Sequence, residues 1–472
     1  MMSKLDMNLV KKSGIYFIGN FASKFIMAIM IPFYAYFVSV KELGLFDFSQ
    51  TIMNTVAPVI FLALWEAILR FLIAEDEENK RVNIIATSVR ITQIVIAILV
   101  LFSLIFAIIG NLITMYTLLM ICAYGAAQMW QYYARALKYN QVYIKSSIVG
   151  TILNFIFLLL TVCVFNMGGD GLFWSYIIGQ ISIVVLIEKK VYVLSYLKKG
   201  SFNWLVLKTM LLFSAPLILN LASGWLISGA GRMIITNELG TYENGLFSFA
   251  MKFGTIVSML GTVVSMALIE EAIIKSKDDG IDEYFSRTIQ IVFKLFLSIG
   301  IMAIPLVSIF YYIISSTEYK SSYNMVPIFL MYSVLMTMST NVGAIFQARN
   351  KTNLLFYTTL SGAIITILLS YIMVNSFGVF GVSIAQLSGA FVLLMTRWVF
   401  ARRFIKFDIK WGKIICLAIV YILIVAVCSN GLSIVSMLLS LLLMLIVCYL
   451  NREMVTEVLK FRRKSKVANL PQ

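Results

Sequence analysis

Long apolar runs fill this chain and break at charged or Gly/Asn-rich points. Cutting there leaves about fourteen runs of bilayer-spanning length. Their cores are 13–38, 45–73, 84–109, 112–134, 144–165, 171–188, 209–231, 245–269, 287–314, 324–347, 353–374, 379–400, 412–428 and 432–449. The pattern predicts an all-α, polytopic membrane protein. The first run follows MMSKLDMNLVKKSG. It is longer than a signal-peptide core, and no small-residue cleavage site follows it, so it reads as a permanent span.

Polar positions inside the runs are ordered. In the first run Ser13, Tyr16, Asn20 and Lys24 share one helix face. In the second, Asp47, Gln50, Thr51, Asn54 and Thr55 share a face, and Pro58 follows where it can open the backbone. In the eighth, Ser248, Lys252, Thr255, Ser258, Thr262 and Ser265 fall within an arc of about 140°, at about 100° per residue. The seventh carries Pro216, Gly224, Gly229 and Gly231 and ends near Arg232, and the tenth carries Ser333, Thr337, Thr340, Asn341 and Gln347. A polar stripe with a cation on it is expensive against lipid. These helices are therefore expected to surround a hydrated cavity. The third, fifth and last two runs are more uniformly apolar.

The two halves echo each other. Gly44-Leu45-Phe46-Asp47-Phe48 returns as Gly245-Leu246-Phe247-Ser248-Phe249, 201 residues later. Ala134-Arg135 with Asn140 returns as Ala348-Arg349 with Asn353, and Gly168-x-x-Gly171 as Gly378-x-x-Gly381. The order and the near-constant offset point to a duplication of six spans. An even number of spans gives both copies the same orientation, with a site between them. The expected architecture is two parallel-repeat six-helix lobes around a central cavity plus two extra C-terminal helices. The expected boundaries are 1–200 for the N-terminal lobe, 201–410 for the C-terminal lobe, and 411–472 for the last two spans and a basic tail.

Charge adds an orientation. The chain is 61% hydrophobic and only 13% charged, with a net charge of +16. With the N-terminus in the cytoplasm, the inner segments hold nearly all the lysines and arginines. The outer segments keep only Lys41, Arg232 and Lys320. That bias predicts both termini in the cytoplasm of a cytoplasmic (inner) membrane protein, with the basic loops against anionic lipids. The cations are scattered over short loops, so nucleic acid is not an expected partner. There is no histidine. Cys122, Cys163, Cys416, Cys428 and Cys448 lie in or at the ends of spans without CxxC spacing. No loop is long enough for a soluble catalytic module, and no GxxxxGK[ST] loop occurs. No enzymatic activity, catalytic residue, metal or cofactor is expected. The charges within the spans are mostly Lys and Arg, so the cargo is expected to be anionic, with phosphate or diphosphate fitting best. Lys24 and Lys252 are the leading cavity cations. Arg232 and Arg70 lie nearer span ends, where interface anchoring competes with a binding role. Asp47 either starts a helix, where a carboxylate suits the dipole, or takes a coupling ion.

The stretch APLILNLASGWLISGAGRMIITNELGTYENGLFSFAMKFG resembles the seventh-to-eighth-span signature of the polysaccharide-repeat-unit flippases. These are the O-antigen or capsule (Wzx-type) members of the multidrug/oligosaccharidyl-lipid/polysaccharide exporter superfamily. The matching positions are Pro216, Trp225, Arg232, Gly240, Gly245, Phe247, Ala250 and Lys252. Gly44, the WEAILRFL run ending in Arg70, and YYARALKYNQ are similar to other parts of that family. One departure is Gly231, where relatives often have Asp.

The resemblance implies transport by a flippase for polysaccharide biosynthesis. Undecaprenyl-diphosphate-linked oligosaccharide would cross the membrane by alternating access, driven by an ion gradient of protons or sodium. Other polysaccharide-assembly proteins would be partners. The implied substrate-binding set is Lys24, Lys252, Arg232, Arg70, Asn20 and Asn54, with Asp47 for ion coupling. The rivals are an ion-coupled drug or metabolite antiporter of the same superfamily and a membrane-embedded polysaccharide polymerase.

Overall fold

The computed structural model describes residues 29–274, 281–349, 351, 353–429 and 434–451. Helices dominate, and no strand occurs among the described residues. In order they are α1 (29–37), α2 (Val40–Ile60), α3 (Leu64–Ala74), α4 (Glu78–Ile109), α5 (Leu112–Ala136), α6 (Asn140–Leu159), α7 (Gly169–Val191) and the short α8 (Tyr196–Lys199). There follow α9 (Trp204–Glu238), α10 (Thr241–Ile274), α11 (Ile281–Ile313), α12 (Val326–Ala348), α13 (Asn353–Ala401), α14 (Trp411–Ser429) and α15 (Ile434–Leu450). Among the described residues, eight helices are long and apolar enough to cross a bilayer, or nine if α2 and α3 form one bent span.

Local chemistry places the helix ends. Ser39 and Glu42 form a capping box at the start of α2: the Ser39 side chain takes the Glu42 N–H, and Glu42 takes the Ser39 N–H. Gly110, at φ 83°, stops α4, and Asn111 caps α5 by accepting the Thr114 N–H. Asn203 caps α9 through the N–H groups of Leu205 and Val206. Pro216 is accommodated inside α9 without ending it. Pro58 acts otherwise. The helix stops just beyond it, Leu62 and Ala63 adopt left-handed conformations, and α3 departs at 49°. Gly125 of α5 makes room for this break, since a methyl group there would enter the Phe61 ring.

The described chain divides into two compact units. The first comprises the described residues up to Phe249 with Thr366–Ala385, and the second the described residues of 250–365 and those from Gln386 onward. In the first, α7 packs on α5 and α6, and α9 packs on α2 and α3. Small residues allow the close crossing of α6 and α7. A Cβ at Gly150 would lie 3.1 Å from the Gly179 carbonyl oxygen, and one at Gly179 would lie 3.0 Å from that of Gly150. In the second unit α11 packs on α12, α14 and α15. Gly254 and Gly261 bring α10 onto α12, against the Phe329 carbonyl and the Thr337 side chain.

Each unit also carries the same strap. The N–H groups of Ser201 and Asn203 donate to Asn83 and Thr87 of α4 at 3.1 and 3.1 Å. The N–H groups of Asp408 and Lys410 donate to Ser286 and Gln290 of α11 at 3.0 and 3.4 Å. Both straps use alternate residues of an extended segment against side chains one helical turn apart. Both lead straight into a helix that begins with tryptophan, Trp204 or Trp411. The echo between the halves therefore runs into α14, beyond the point where the sequence motifs ended it.

Candidate functional site

The site lies where α2 begins and where α10 begins, within the first unit. The two equivalent GLF segments touch. A methyl group on Gly44 would drive into the Thr241 carbonyl oxygen, and one on Gly245 into that of Val40. Only glycine permits two backbones this close. Asn244 sits in the same seam, completely buried, and its Nδ2 donates to the Gly44 carbonyl at 2.8 Å.

One turn further along, Asp47 is 5% exposed. Ser248, its counterpart in the repeat, donates its hydroxyl to Asp47 Oδ2 at 2.6 Å. Arg232 of α9 brings Nε to the same oxygen at 2.7 Å. The Arg232 Nε–H is not aligned for a good hydrogen bond, so this contact is mainly a meeting of charges. Two groups that the sequence assigned to separate roles, a coupling carboxylate and a substrate cation, thus neutralise each other. Arg232 also lies deeper than expected. The helix continues to Glu238, nearly two turns past it, whereas the apolar run ends at 231. Gly231, beside it, takes the place of the acidic residue common in the resembled family. A Cβ there would lie 3.0 Å from Val382 of α13.

The remaining predicted residues are placed as follows. Thr51 and Thr55 return their hydroxyls to the α2 backbone, at the Asp47 and Thr51 carbonyls. Asn54 is half-buried and makes no hydrogen bond among the described residues, which suits a hydrated surroundings. Arg70 is exposed on α3, beyond the break, with its guanidinium over the Phe213 ring at 5.5 Å. Lys252 belongs to the second unit and is half-buried there. Lys24 and Asn20 lie outside the described residues, as do the Thr262 and Ser265 side chains. Among the described residues no group of three or more His, Cys, Asp or Glu is arranged to hold a metal ion.

Sequence reasoning overlooked three features. The spacing puts Ser248 on a cavity-facing stripe, and in the structure its hydroxyl donates to Asp47. Its offset of 201 residues from Asp47 was the available signal. Glu42 reaches across to α7, where its Oε1 accepts the Gly169 N–H at 2.7 Å. Arg397, buried in α13, bonds to Ser339, Thr358 and Thr359. Nothing local marks it as different from the interfacial arginines that follow.

No family model matches the sequence. An uncharacterized membrane protein of Methanocaldococcus jannaschii is 25% identical over 193 residues, which is 40% of this chain and 43% of that protein. The chain thus spans less than half the length of that relative. Among solved structures, the lipid II flippase MurJ in an inward closed conformation superposes with a TM-score of 0.70 at 13% identity, covering 94% of this chain and 100% of that one. An inward-facing multidrug resistance MATE transporter of the MOP superfamily gives 0.65 at 14% identity, covering 84% and 95%. A MOP superfamily transporter from Pyrococcus furiosus, described as having a binding pocket of reverse polarity, gives 0.53 at 14%, covering 86% and 94%. The chain has the fold shared by these proteins: almost wholly helical among the described residues and built to cross a membrane many times.

Proposed function

We propose that this protein is a membrane flippase of the MOP superfamily that moves undecaprenyl-diphosphate-linked oligosaccharide, for O-antigen or capsule assembly, by alternating access. The single observation that carries the reading is the seam between the two GLF segments. Equivalent pieces of two repeats meet at glycines and are fastened by the Asp47–Arg232–Ser248 cluster. Parallel repeats related by a membrane-normal axis and rocking against each other need such a contact at one end, made in one state and broken in the other. In the predicted orientation the seam is at the outer end, so the cluster closes the outer exit. Residues 1–200 and 201–410 are the two lobes.

The cargo follows from charge. Asp47 is neutralised by Arg232, so the carboxylate that a cationic drug would need is not on offer at the seam. Lys252, Lys24 and Arg70 supply positive charge for a diphosphate, and Asn54 and Asn20 supply neutral donors. On this reading the 49° bend after Pro58 turns the cytoplasmic half of the second span aside, with Arg70 offered toward the inner mouth.

The test is genetic and chemical. Lys252→Ala and Lys24→Ala, at normal protein levels, should stop surface polysaccharide and leave lipid-linked units on the inner leaflet. Wild-type polymer yield in both variants would remove the anion role. Export of a cationic dye that persists in those variants would favour the antiporter reading.

A further inference from the structure

The repeat identifies a second partner for the start of α10. KELGLFDF in α2 and YENGLFSF in α10 align at the offset of 201 residues, which equates Glu42 with Glu243 as well as Gly44 with Gly245. The turns ahead of α7 and of the second arm of α13 correspond in the same way. Gly168 has φ 53° and ψ −131°, and Gly378 has φ 57° and ψ −142°. This backbone region is essentially closed to side chains, so two glycines sharing it at equivalent positions are the same turn built twice.

The two copies differ in one respect. In the first, Glu42 closes on its turn: Gly169 donates to Oε1 at 2.7 Å, and a Cβ on Gly168 would lie 2.6 Å from that oxygen. In the second, a Cβ on Gly378 would meet nothing within 4 Å. Glu243 is half-buried and accepts no hydrogen bond among the described residues. A carboxylate partly removed from water without a donor is unfavourable, and the first copy shows which donor fits it. The seam keeps Glu243 away, because the Gly44–Gly245 contact and the Asn244 bond to Gly44 hold this turn of α10 against α2.

We propose that Glu243 is the gating residue of the second repeat. When the seam opens, the first turns of α10 leave α2, and Glu243 caps the Gly378–Val379 turn as Glu42 already caps Gly168–Gly169. Glu42 is a fixed strut, and Glu243 exchanges partners. The start of α10 then has two docked positions, α2 and the α13 turn, each ended by polar bonds, which is what a two-state element requires. The proposal rests on the alternating-access reading above and deepens it.

The experiment uses the full chain in membranes with its five cysteines replaced. The pairs Glu42→Cys/Gly169→Cys and Glu243→Cys/Val379→Cys are oxidised and scored for cross-linking. With the seam intact the first pair cross-links and the second does not. Weakening the seam by Gly44→Leu, or independently by Asp47→Ala, should raise the second pair about tenfold, the size of one charge-assisted hydrogen bond, and leave the first unchanged. A second measurement keeps Glu243 in place. Ser248→Cys is labelled from outside by an impermeant maleimide, and adding Glu243→Ala to a seam variant should cut labelling about tenfold. Equal cross-linking of the second pair with and without the seam variants overturns the proposal. So does a second pair that stays open while Ser248→Cys labels freely, or labelling that Glu243→Ala does not change. If Ser248→Cys is never labelled in any seam variant, alternating access itself fails, and the proposal with it. No cargo is used, so these outcomes are separate from the identity of the substrate.

Discussion

Two arginines largely withdrawn from solvent, Arg232 with 16% of its side chain exposed and Arg397 more deeply buried, sit in opposite company. Arg232 is held by a carboxylate, Asp47, which is held in turn by Ser248 on another helix. Arg397 is 9% exposed and is held by neutral oxygens alone among the described residues. Its Nε donates to Thr358 Oγ1 at 3.3 Å, one terminal nitrogen to the Ser339 carbonyl at 2.8 Å, and the other to Thr359 Oγ1 at 3.1 Å. Gly343 leaves it room, since a Cβ there would lie 3.1 Å from the guanidinium. A guanidinium is weakly hydrated and spreads its charge over a planar fork, so several fixed dipoles can stabilise it without an anion. The nearby C-terminal end of α13 adds a favourable dipole. The contrast separates a strut from a fastener. Arg397 ties arms of one unit that have no reason to part. Arg232 and Asp47 attract as full charges, hold firmly when dry, and lose most of that attraction once water enters. That is the behaviour an opening seam needs.

The comparison predicts an order of effects. Asp47→Ala should be the largest, because it strands a buried guanidinium at a cost of about 4 kcal/mol. The midpoint of thermal unfolding in detergent reads the loss. Asp47→Ala with Arg232→Met should recover most of the stability and, on the function proposed above, still fail to support polymer export. A double variant that exports normally would reduce the pair to a structural feature. Arg397→Ala should cost roughly 2–3 kcal/mol by the same measurement, since it removes three bonds but strands no charge. Arg397→Lys should not restore it, because an ammonium lacks the fork. If Arg397→Ala outweighs Asp47→Ala, the distinction between strut and fastener is wrong. The smallest effect belongs to Ser248→Ala, about 1.5 kcal/mol for one hydrogen bond to a carboxylate. It should also raise maleimide access to the seam, which Arg397→Ala should leave unchanged.

Much of this was legible from the residues. The break in the second span followed from Pro58 inside a run of spanning length. The duplication followed from GLF, Ala-Arg and Gly-x-x-Gly at a near-constant offset. Its structural counterparts are the matching φ/ψ of Gly168 and Gly378 and the matching straps over α4 and α11. The extension of the echo into α14 was missed because it is carried by backbone N–H groups. Those donors are the same whether the residues are Ser201 and Asn203 or Asp408 and Lys410.

The roles of the charged residues were less legible. Asp47, Arg232 and Ser248 each stand out in the sequence, but on three different helices and for three different purposes. Glu42 and Glu243 drew no attention, since a glutamate in the first turn of a helix is unremarkable in sequence.

By itself the sequence determined the solvent of this protein and its elements. Apolar runs of bilayer length must become helices there, because lipid offers no partner for backbone N–H and C=O groups. It also determined the duplication, since likeness in the same order at a near-constant offset needs no coordinates to be seen. Only the tertiary structure decided which polar groups meet. Pairing depends on the approach of helices far apart in the chain, and that approach is set by glycines whose effect lies in what they allow to come near. Thus an aspartate and an arginine, each plausible as a ligand for cargo or ion, became partners of one another once Gly229 let α9 lie close against Thr51 of α2.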